Sequence, residues 1–274
     1  MYRVLMALVL SLGLTVSSVM AKDITISGST SVARLMDVLA EEYNRTHPES
    51  FVAVQGIGST AGITLVANGV VEIAMTSRYL TEREQRAEYT VTQLAHDGLT
   101  VVVNSANPVA DLTREQLYDI YKGKVTNWKE LGGHDQTIAV VTREASSGTR
   151  YSFESLLGLT KVINDRSVSA IDPNNLVVNS NSMVKTIVNH NRQAIGFIST
   201  GSVDRSVKPV AFEGIDGDND TIALGKYQLS RPFLLVYNPE KLSQESKQFL
   251  AYLQTERAQE LIEEYGYTPI AKDK

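Results

Sequence analysis

The chain has 274 residues, 43% of them hydrophobic and 21% charged, with 18 glycines and 7 prolines. This is the composition of an ordinary globular protein, which excludes the disordered and fibrous classes, and the length allows one large domain or two medium ones. The formal net charge is −5, and no block of lysine or arginine interrupts the sequence. An electrostatic footprint for nucleic acid is therefore missing, and any anion site must depend on local donors rather than on overall charge.

Residues 1–21 have the pattern of a cleavable signal peptide. Arg3 precedes an apolar run over 4–14, and the small residues Val19 and Ala21 suit the −3 and −1 positions of a signal-peptidase site. Cleavage is therefore expected after Ala21. The apolar run has about half of the ~20 residues that a membrane-spanning helix needs. Because the sequence contains no cysteine, it excludes disulfides and a lipid anchor on an N-terminal cysteine.

Strand-like and helical patterns alternate along the rest of the chain, which predicts an α/β fold with a mostly parallel sheet covered by helices. The predicted elements are, in order, a strand at 23–27, a helix at 32–43, a strand at 51–55, a short helix at 63–67, a strand at 71–75, a charged helix at 81–90, a strand at 98–104, a helical and turn-rich segment at 107–133, a strand at 137–142, a helix through 153–157, strands at 194–199, 207–212 and 229–238, and helices at 240–255 and 257–265.

Two of these strands, 98–104 and 229–238, are the places where the chain is expected to leave one lobe and return to it. The sequence therefore predicts a discontinuous lobe I over 22–100 plus 235–274. An inserted lobe II then covers 101–234.

One pattern occurs three times: a strand ends in a loop of glycine, serine and threonine, and a helix begins there. The loops are 28–31, 58–62 and 146–149. Serine and threonine at such junctions cap the first helical turn, which by itself explains any one of the loops. Three such loops at strand ends, two in lobe I and one in lobe II, predict instead an anion site built from neutral donors and helix N-termini in a cleft.

Two arginines stand close to these loops. Arg143 lies four residues before Ser147, and Arg78 follows Thr76 and Ser77 at the end of the third strand. A guanidinium group beside an oxyanion gives charge-assisted and often bidentate hydrogen bonds. The alternative for both arginines is a surface or interlobe salt bridge, and Arg143 is the stronger candidate for ligand contact.

The chain resembles the phosphate-specific substrate-binding proteins of bacterial phosphate ABC transporters. The stretches that carry the resemblance cover nearly the whole chain after residue 21: ISGSTSV at 26–32, QGIGSTAGI at 55–63, VEIAMTSRYL at 71–80, NPVADLTREQLYDIYKGKVTNWKELGG at 107–133 and REASSGTRYSFE at 143–154. The resemblance implies a two-lobed periplasmic-binding-protein-like fold of type II, in which each lobe has a central mixed or parallel sheet flanked by helices.

The resemblance also implies a function and a set of ligand-binding residues. A monomeric periplasmic protein would capture inorganic phosphate between its lobes and deliver it to the permease subunits of an ABC transporter in the inner membrane, without catalysis, cofactor, metal or nucleic acid. Carried over by motif, the phosphate-binding residues are Ser29, Thr30, Ser31, Ser59, Ser77, Arg143, Ser147, Gly148 and Thr149.

The sequence departs from the family pattern at one position. The family has a carboxylate after the third strand that accepts the proton of hydrogen phosphate, and Ser77 occupies that position here. A site with donors only would bind sulfate as readily as hydrogen phosphate, because losing a matched hydrogen bond costs discrimination. Asp97, Glu144 and Ser77 itself are the candidate acceptors. Asp97 is equally a turn former before Gly98, and Glu144 is equally a partner of an arginine.

Two alternatives remain open at this stage. One is a binding protein of the same fold for sulfate or molybdate. The other is a periplasmic phosphate-ester hydrolase. The sequence gives little support to metal-dependent chemistry, because its four histidines show no metal-ligand spacing and cysteine is absent.

Overall fold

The computed structural model describes residues 22–164 and 166–270. The predicted signal peptide at 1–21 lies outside the described residues. Within the described ranges, no helix is both long and apolar enough to cross a membrane.

The described chain forms an α/β fold whose strands and helices follow the predicted alternation. The strands are β1 (Lys22–Gly28), β2 (Ser50–Gly56), β3 (Ile73–Thr76), β4 (Thr90–Val103), β5 (Asp111–Leu112), β6 (Ala139–Arg143), β7 (Thr160–Ile163), β8 (Arg166–Ser169), β9 (Leu176–Val178), β10 (Ala194–Ser199), β11 (Lys208–Phe212), β12 (Ser230–Tyr237) and β13 (Thr268–Pro269). The helices are α1 (Thr30–Thr46), α2 (Ser59–Ala67), α3 (Arg114–Tyr121), α4 (Gly148–Leu157), α5 (Asn181–His190), α6 (Asn219–Ala223), α7 (Gln244–Tyr252) and α8 (Glu256–Glu264). Short 3₁₀ turns cover Trp128–Leu131, Thr200–Ser202 and Pro239–Lys241.

The main sheet is mixed and runs in the order β2-β1-β3-β12-β4-β10-β6-β9. Strand β1 pairs in parallel with β2 and β3, as βα units require. Strand β12 then inserts antiparallel between β3 and β4. Strand β10 is antiparallel to β4 and parallel to β6. The sheet is thus less parallel than the sequence indicates, because β12 returns late in the chain to a central position.

Strand β4 belongs to both halves of the molecule. The first half is the part of the sheet with β1, β2, β3 and β12, and the second half is the part with β10, β6 and β9. Its first part, from Thr90 to Gly98, pairs with β12. Its second part, from Leu99 to Val103, pairs with β10. Because β4 has 14 residues, one continuous strand carries the sheet from the first half into the second.

Two large hydrophobic clusters form the core, and the change between them falls in β4 and at the start of β12. The first cluster takes its side chains from 24–95 and from 233–267. The second cluster takes them from 99–229. Between the clusters lie Asp97 and Arg231, two charged residues almost without exposure to solvent.

Two local predictions are wrong. The charged segment 81–90 is not a helix but a series of turns, because the backbone N–H and hydroxyl of Thr81 donate to Glu84, whose carboxylate is drawn to Arg78. Asp97 is not a turn former, since it lies inside β4 opposite Arg231.

Several elements have no counterpart among the predictions: the hairpin of β7 and β8, the short strand β9 and helix α5.

Candidate functional site

Helix α1 begins directly after β1, and its N-cap residue carries the first polar contact of the site. The Oγ of Ser29 accepts from the backbone N–H groups of Ser31 and Val32, which caps the helix. With its lone pairs used in this way, the same hydroxyl donates to the Oγ of Ser77 at 2.9 Å. The hydrogen bond from Ser29 to Ser77 therefore connects the first loop to the segment after β3.

The second loop packs directly on the first. A Cβ on Gly62 would lie 2.5 Å from the Cα of Gly28, so only glycine allows the two loops to approach this closely. The approach places Ser59, the first residue of α2, beside Ser77. The Ser77 backbone N–H donates to the Ser59 Oγ at 3.2 Å, and the two hydroxyl oxygens are 3.4 Å apart.

The third loop approaches from the other half of the molecule. The Thr149 Oγ1 lies 2.9 Å from the Ser31 Oγ. A Cβ on Gly148 would lie 2.2 Å from the Ser59 Oγ and 2.6 Å from the Ser77 Oγ. The N-terminus of α4 therefore faces the hydroxyl groups of the first two loops at contact distance.

Five buried hydroxyl groups consequently meet at three helix N-termini, and we call them the hydroxyl cluster: Ser29, Ser31, Ser59, Ser77 and Thr149. Each hydroxyl can donate one hydrogen bond and accept others. The N-termini of α1, α2 and α4 add the positive ends of three helix dipoles. This arrangement suits a small oxyanion.

Arg143 is fully buried next to the hydroxyl cluster. Its guanidinium group donates to both carboxylate oxygens of Glu144, at 2.9 and 3.0 Å. It also donates to the Thr30 Oγ1 at 3.1 Å and to the Asn181 Oδ1 at 3.2 Å. The predicted residues Thr30 and Arg143 are thus in direct contact, and Thr30 itself is only half-buried.

Ser147 and Gly148 have different positions in the loop before α4. The Ser147 Oγ accepts from the Arg150 N–H and so caps the helix. The hydrogen bonds of Ser147 are made within its own loop and helix, whereas Gly148 packs against Ser59 and Ser77.

Sequence reasoning missed Asn181, which joins Arg143 to the hydroxyl cluster. The Asn181 Nδ2 donates to the Ser31 Oγ at 2.9 Å, while its Oδ1 accepts from Arg143. Asn181 opens α5, which follows β9 after a short polar loop with Ser180 as the N-cap. The sequence signal that could have identified Asn181 is therefore a fourth junction at which a strand, a polar loop and a helix follow one another.

Ser152, on α4, is a second residue that the sequence did not indicate, and its hydroxyl donates to the Ser77 carbonyl oxygen at 3.1 Å.

The two candidate carboxylate acceptors are both engaged by arginines. Glu144 accepts from Arg143 with both oxygens. One Asp97 oxygen accepts two bonds from Arg231, at 2.9 and 3.1 Å, and the other accepts from the Ser199 Oγ at 2.7 Å. Burial raises the pKa of the Asp97 carboxyl group, and the bonds from Arg231 and Ser199 oppose that rise. Ser77 is the one candidate acceptor that lies in the hydroxyl cluster.

The side-chain contacts of Arg78 lie outside the hydroxyl cluster. It pairs with both oxygens of Glu84, at 2.6 and 2.7 Å, and donates to the Thr60 Oγ1 at 3.1 Å. Its guanidinium carbon lies 4.9 Å from the centre of the Tyr151 ring, which belongs to α4. Arg78 is therefore in a salt bridge, but the pair is buried and both partners lie in the predicted lobe I, whereas the sequence suggested a surface or interlobe pair.

The polar groups of the site are hydrogen-bond donors suited to an anion. In residues 22–164 and 166–270, no group of three or more histidine, aspartate or glutamate side chains could hold a metal ion. The recorded hydrogen bonds of His47, His96 and His190 are made with their own local segments. The hydroxyl cluster and Arg143 together supply donors that can replace the water around an anion.

Comparison with known proteins places the chain in a family. The model of the PBP superfamily domain matches residues 15–257. The Bacillus subtilis phosphate-binding protein PstS is 30% identical over 92% of this chain and 82% of its own length. The PstS protein of Borreliella burgdorferi is 28% identical over 91% of this chain and 90% of its own.

Two solved structures are similar over the same extent. An ABC-type phosphate transport receptor from Vibrio cholerae is 64% identical, with a TM-score of 0.76, over 91% of this chain and 100% of that one. A candidate phosphate ABC transporter substrate-binding protein from Clostridium perfringens, solved with bound phosphate, is 36% identical with a TM-score of 0.86 and the same coverage. The two-lobed, type II periplasmic-binding fold expected from the sequence is thereby confirmed, and the chain belongs to the PBP superfamily and, within it, to the family of the phosphate-binding PstS proteins.

Proposed function

We propose that this protein captures inorganic phosphate between two lobes and delivers it to an ABC transporter. One observation carries the proposal: a buried hydroxyl cluster meets three helix N-termini beside a buried arginine. These donors match the oxygens of a tetrahedral anion. The similar Clostridium perfringens protein was solved with bound phosphate, which identifies phosphate as the first anion to test.

The nine residues carried over by motif form the proposed binding site, with Asn181 as an addition from the structure. Eight of the nine are in hydrogen-bond or packing contact with another member of the set, and Ser147 supports the loop that carries Gly148 and Thr149. The hydroxyls and N–H groups would surround the anion, and Arg143 would supply the positive charge.

The proposed lobes are 22–100 plus 235–274 and 101–234. The two large hydrophobic clusters support this division. The chain passes from the first cluster to the second between residues 95 and 99, and it returns to the first between 229 and 233. Strands β4 and β12 would then be the two connections about which the lobes close over the ligand.

The remaining parts of the proposal concern location, partners and chemistry. The signal at 1–21 would be cleaved after Ala21, and the protein would act in the periplasm. There it would be a monomer that docks on permease subunits. We propose binding without catalysis, because the hydroxyl groups of the cluster are hydrogen-bonded to one another, and within residues 22–164 and 166–270 none of them is bonded to a histidine.

A calorimetric titration of the purified protein with phosphate tests the proposal. Tight binding that sulfate and molybdate displace only weakly supports it. Equal or tighter binding of sulfate or molybdate would assign the site to that anion instead. Steady turnover of a phosphate ester that is lost in Ser59→Ala would show a hydrolase.

Gly148→Ala gives a sharp test of the site within the same titration. The added methyl group would meet Ser59 and Ser77 at 2.2–2.6 Å, so we expect phosphate affinity to fall by about ten-fold or more. Because the clash lies between the two proposed lobes, opening of the lobes relieves it, and the ligand-free protein should keep its melting temperature. Ser155→Ala, an exposed change in the same helix, is the control and should leave phosphate affinity unaltered.

A further inference from the structure

Arg231 and Asp97 form a buried ion pair at the place where one hydrophobic cluster gives way to the other. They are opposite each other in the ladder of β12 and β4. The Arg231 Nε and Nη2 donate to one Asp97 oxygen at 3.1 and 2.9 Å, and the side chains are only 2% and 0% exposed. Stability alone is a weak explanation for such a pair, because apolar residues of similar volume are often equally stabilising.

The ion pair contacts both halves of the molecule. On one side, the Arg231 Nη1 donates to the Ser77 carbonyl oxygen at 3.4 Å. On the other side, Asp97 accepts from the Ser199 Oγ at 2.7 Å, at the end of β10. The pair therefore links the loop that carries Ser77 to the second half.

The pair is also oriented with respect to the hydroxyl cluster. Its cationic end reaches Ser77, and its anionic end reaches Ser199. In a buried environment of low polarisability, the electric field of these separated charges extends over several ångströms. Burial lowers the pKa of the Arg231 guanidinium and the neighbouring Arg143 also lowers it, while Asp97 opposes both. The Arg231 guanidinium remains charged at neutral pH.

The hydrogen bonds of Ser77 connect Arg231 to the hydroxyl cluster. The carbonyl oxygen accepts from Arg231 and from the Ser152 Oγ, while the N–H of the same residue donates to the Ser59 Oγ. The Ser77 hydroxyl in turn receives the bond from Ser29. Holding the carbonyl fixes the direction of the hydroxyl group at the centre of the cluster.

We propose that Arg231 is a positioning residue of the anion site, which orients Ser77 and places positive charge behind the hydroxyl cluster, while Asp97 keeps its guanidinium in place. The inference rests on the proposed capture of phosphate. It means that Arg231 contributes to the binding affinity without touching the anion.

Calorimetric phosphate titrations of Arg231→Gln and Arg231→Lys test the inference. We expect affinity to fall about ten-fold in the glutamine variant and several-fold in the lysine variant, since lysine keeps the charge but loses the guanidinium fork. Thermal unfolding without ligand identifies folded protein, and the lysine variant carries the test if the glutamine variant does not fold. Wild-type affinity in a folded variant would overturn the inference.

A double-mutant cycle with Ser77→Ala separates positioning from a general structural role. If Arg231 acts through the Ser77 hydroxyl, its replacement should weaken binding less in the Ser77→Ala background than in the wild type. Arg78→Gln is the matched control, because Arg78 is another buried arginine in an ion pair, and its effect should be equal in both backgrounds. An equal effect of the Arg231 variant in both backgrounds would contradict the inference.

The two failures are distinguishable. A wild-type protein that binds no phosphate contradicts the proposed function. A wild-type protein that binds phosphate, together with unaffected Arg231 variants, contradicts only the role of Arg231.

Discussion

Arg143 and Arg78 offer a comparison of two nearly identical groups with different surroundings. Each lies at or just beyond the end of a strand, each is buried, and each donates twice to a nearby glutamate. Arg143 uses its other N–H groups for Thr30, Asn181 and a backbone carbonyl, which brings it to the hydroxyl cluster. Arg78 uses its own for Thr60 and a backbone carbonyl and stacks on Tyr151.

The difference teaches that a buried, paired arginine near a ligand site is not thereby a ligand-binding residue. Burial and the carboxylate partner are the same in both cases. The third contact decides, because it determines whether the guanidinium faces the hydroxyl cluster, as in Arg143, or the Tyr151 ring, as in Arg78.

The largest effect that could break this comparison is the loss of Arg143. We expect Arg143→Ala to reduce phosphate affinity by about a hundred-fold or more, because charge-assisted bonds contribute about 1.5–3 kcal/mol each and Glu144 is left unpaired. Arg78→Ala should cost about five-fold or less. Calorimetry on both variants measures the ratio, and equal effects would contradict the assignment of Arg143 to the site.

A second prediction compares the neutral partners of the two arginines. Asn181 accepts from Arg143 and donates to Ser31, whereas Thr60 accepts from Arg78. Asn181→Ala should weaken phosphate binding about ten-fold, since it removes two buried hydrogen bonds at the cluster. Thr60→Ala should change the affinity by about two-fold or less, because its hydroxyl is joined to Arg78 rather than to the cluster. The same titration checks both, and a larger loss in Thr60→Ala would reverse the comparison.

A smaller effect is expected at Tyr151, where Arg78 meets the other half of the molecule. Tyr151→Leu removes the aromatic face, and a cation–π contact at a partly exposed site is worth about 0.5–1 kcal/mol. Phosphate affinity should therefore fall two- to five-fold through faster dissociation, since the contact exists only while the two halves touch. Stopped-flow measurement of the dissociation rate checks this. Tyr151→Phe keeps the ring and should match the wild type, and the idea fails if both variants release phosphate equally fast.

Much of the fold could be predicted from local patterns. Strands β1, β2 and β10 agree with the apolar runs within one or two residues, because each run is short, apolar and bounded by turn residues. The segment 81–90 could not be predicted, since the ion pair of Glu84 with Arg78 and the bonds from Thr81 hold it in turns. Tertiary contacts of this kind override helical propensity.

The site shows the same division between local and tertiary information. The three glycine, serine and threonine loops are visible in the sequence because capping is a local requirement, and the structure brings their hydroxyls together. The pairing of Asp97 with Arg231 spans 134 residues of sequence. No local sequence pattern predicts this pair, so the sequence cannot show that both oxygens of Asp97 are already hydrogen-bonded.

The last expected effect is on stability rather than on binding, and it concerns Glu84, the ion-pair partner of Arg78. Burial raises the pKa of this carboxyl group, but the hydrogen bonds from Arg78 and Thr81 outweigh it and leave the pKa below its usual value of 4.5. A lowered pKa means that ionised Glu84 stabilises the folded protein above pH 4.5 and that this contribution is lost as the pH falls through the folded pKa.

Glu84→Gln should therefore lower the free energy of unfolding at pH 7 by about 1 kcal/mol, a value reduced by the partial exposure of the carboxylate. The difference from the wild type should shrink as the pH drops below 4.5, because protonated glutamate and glutamine are then similar in charge. Urea unfolding of both proteins at pH 7 and at successively lower pH measures it. A constant difference across that range would mean that packing, rather than the charge that holds Arg78, is what Glu84 contributes.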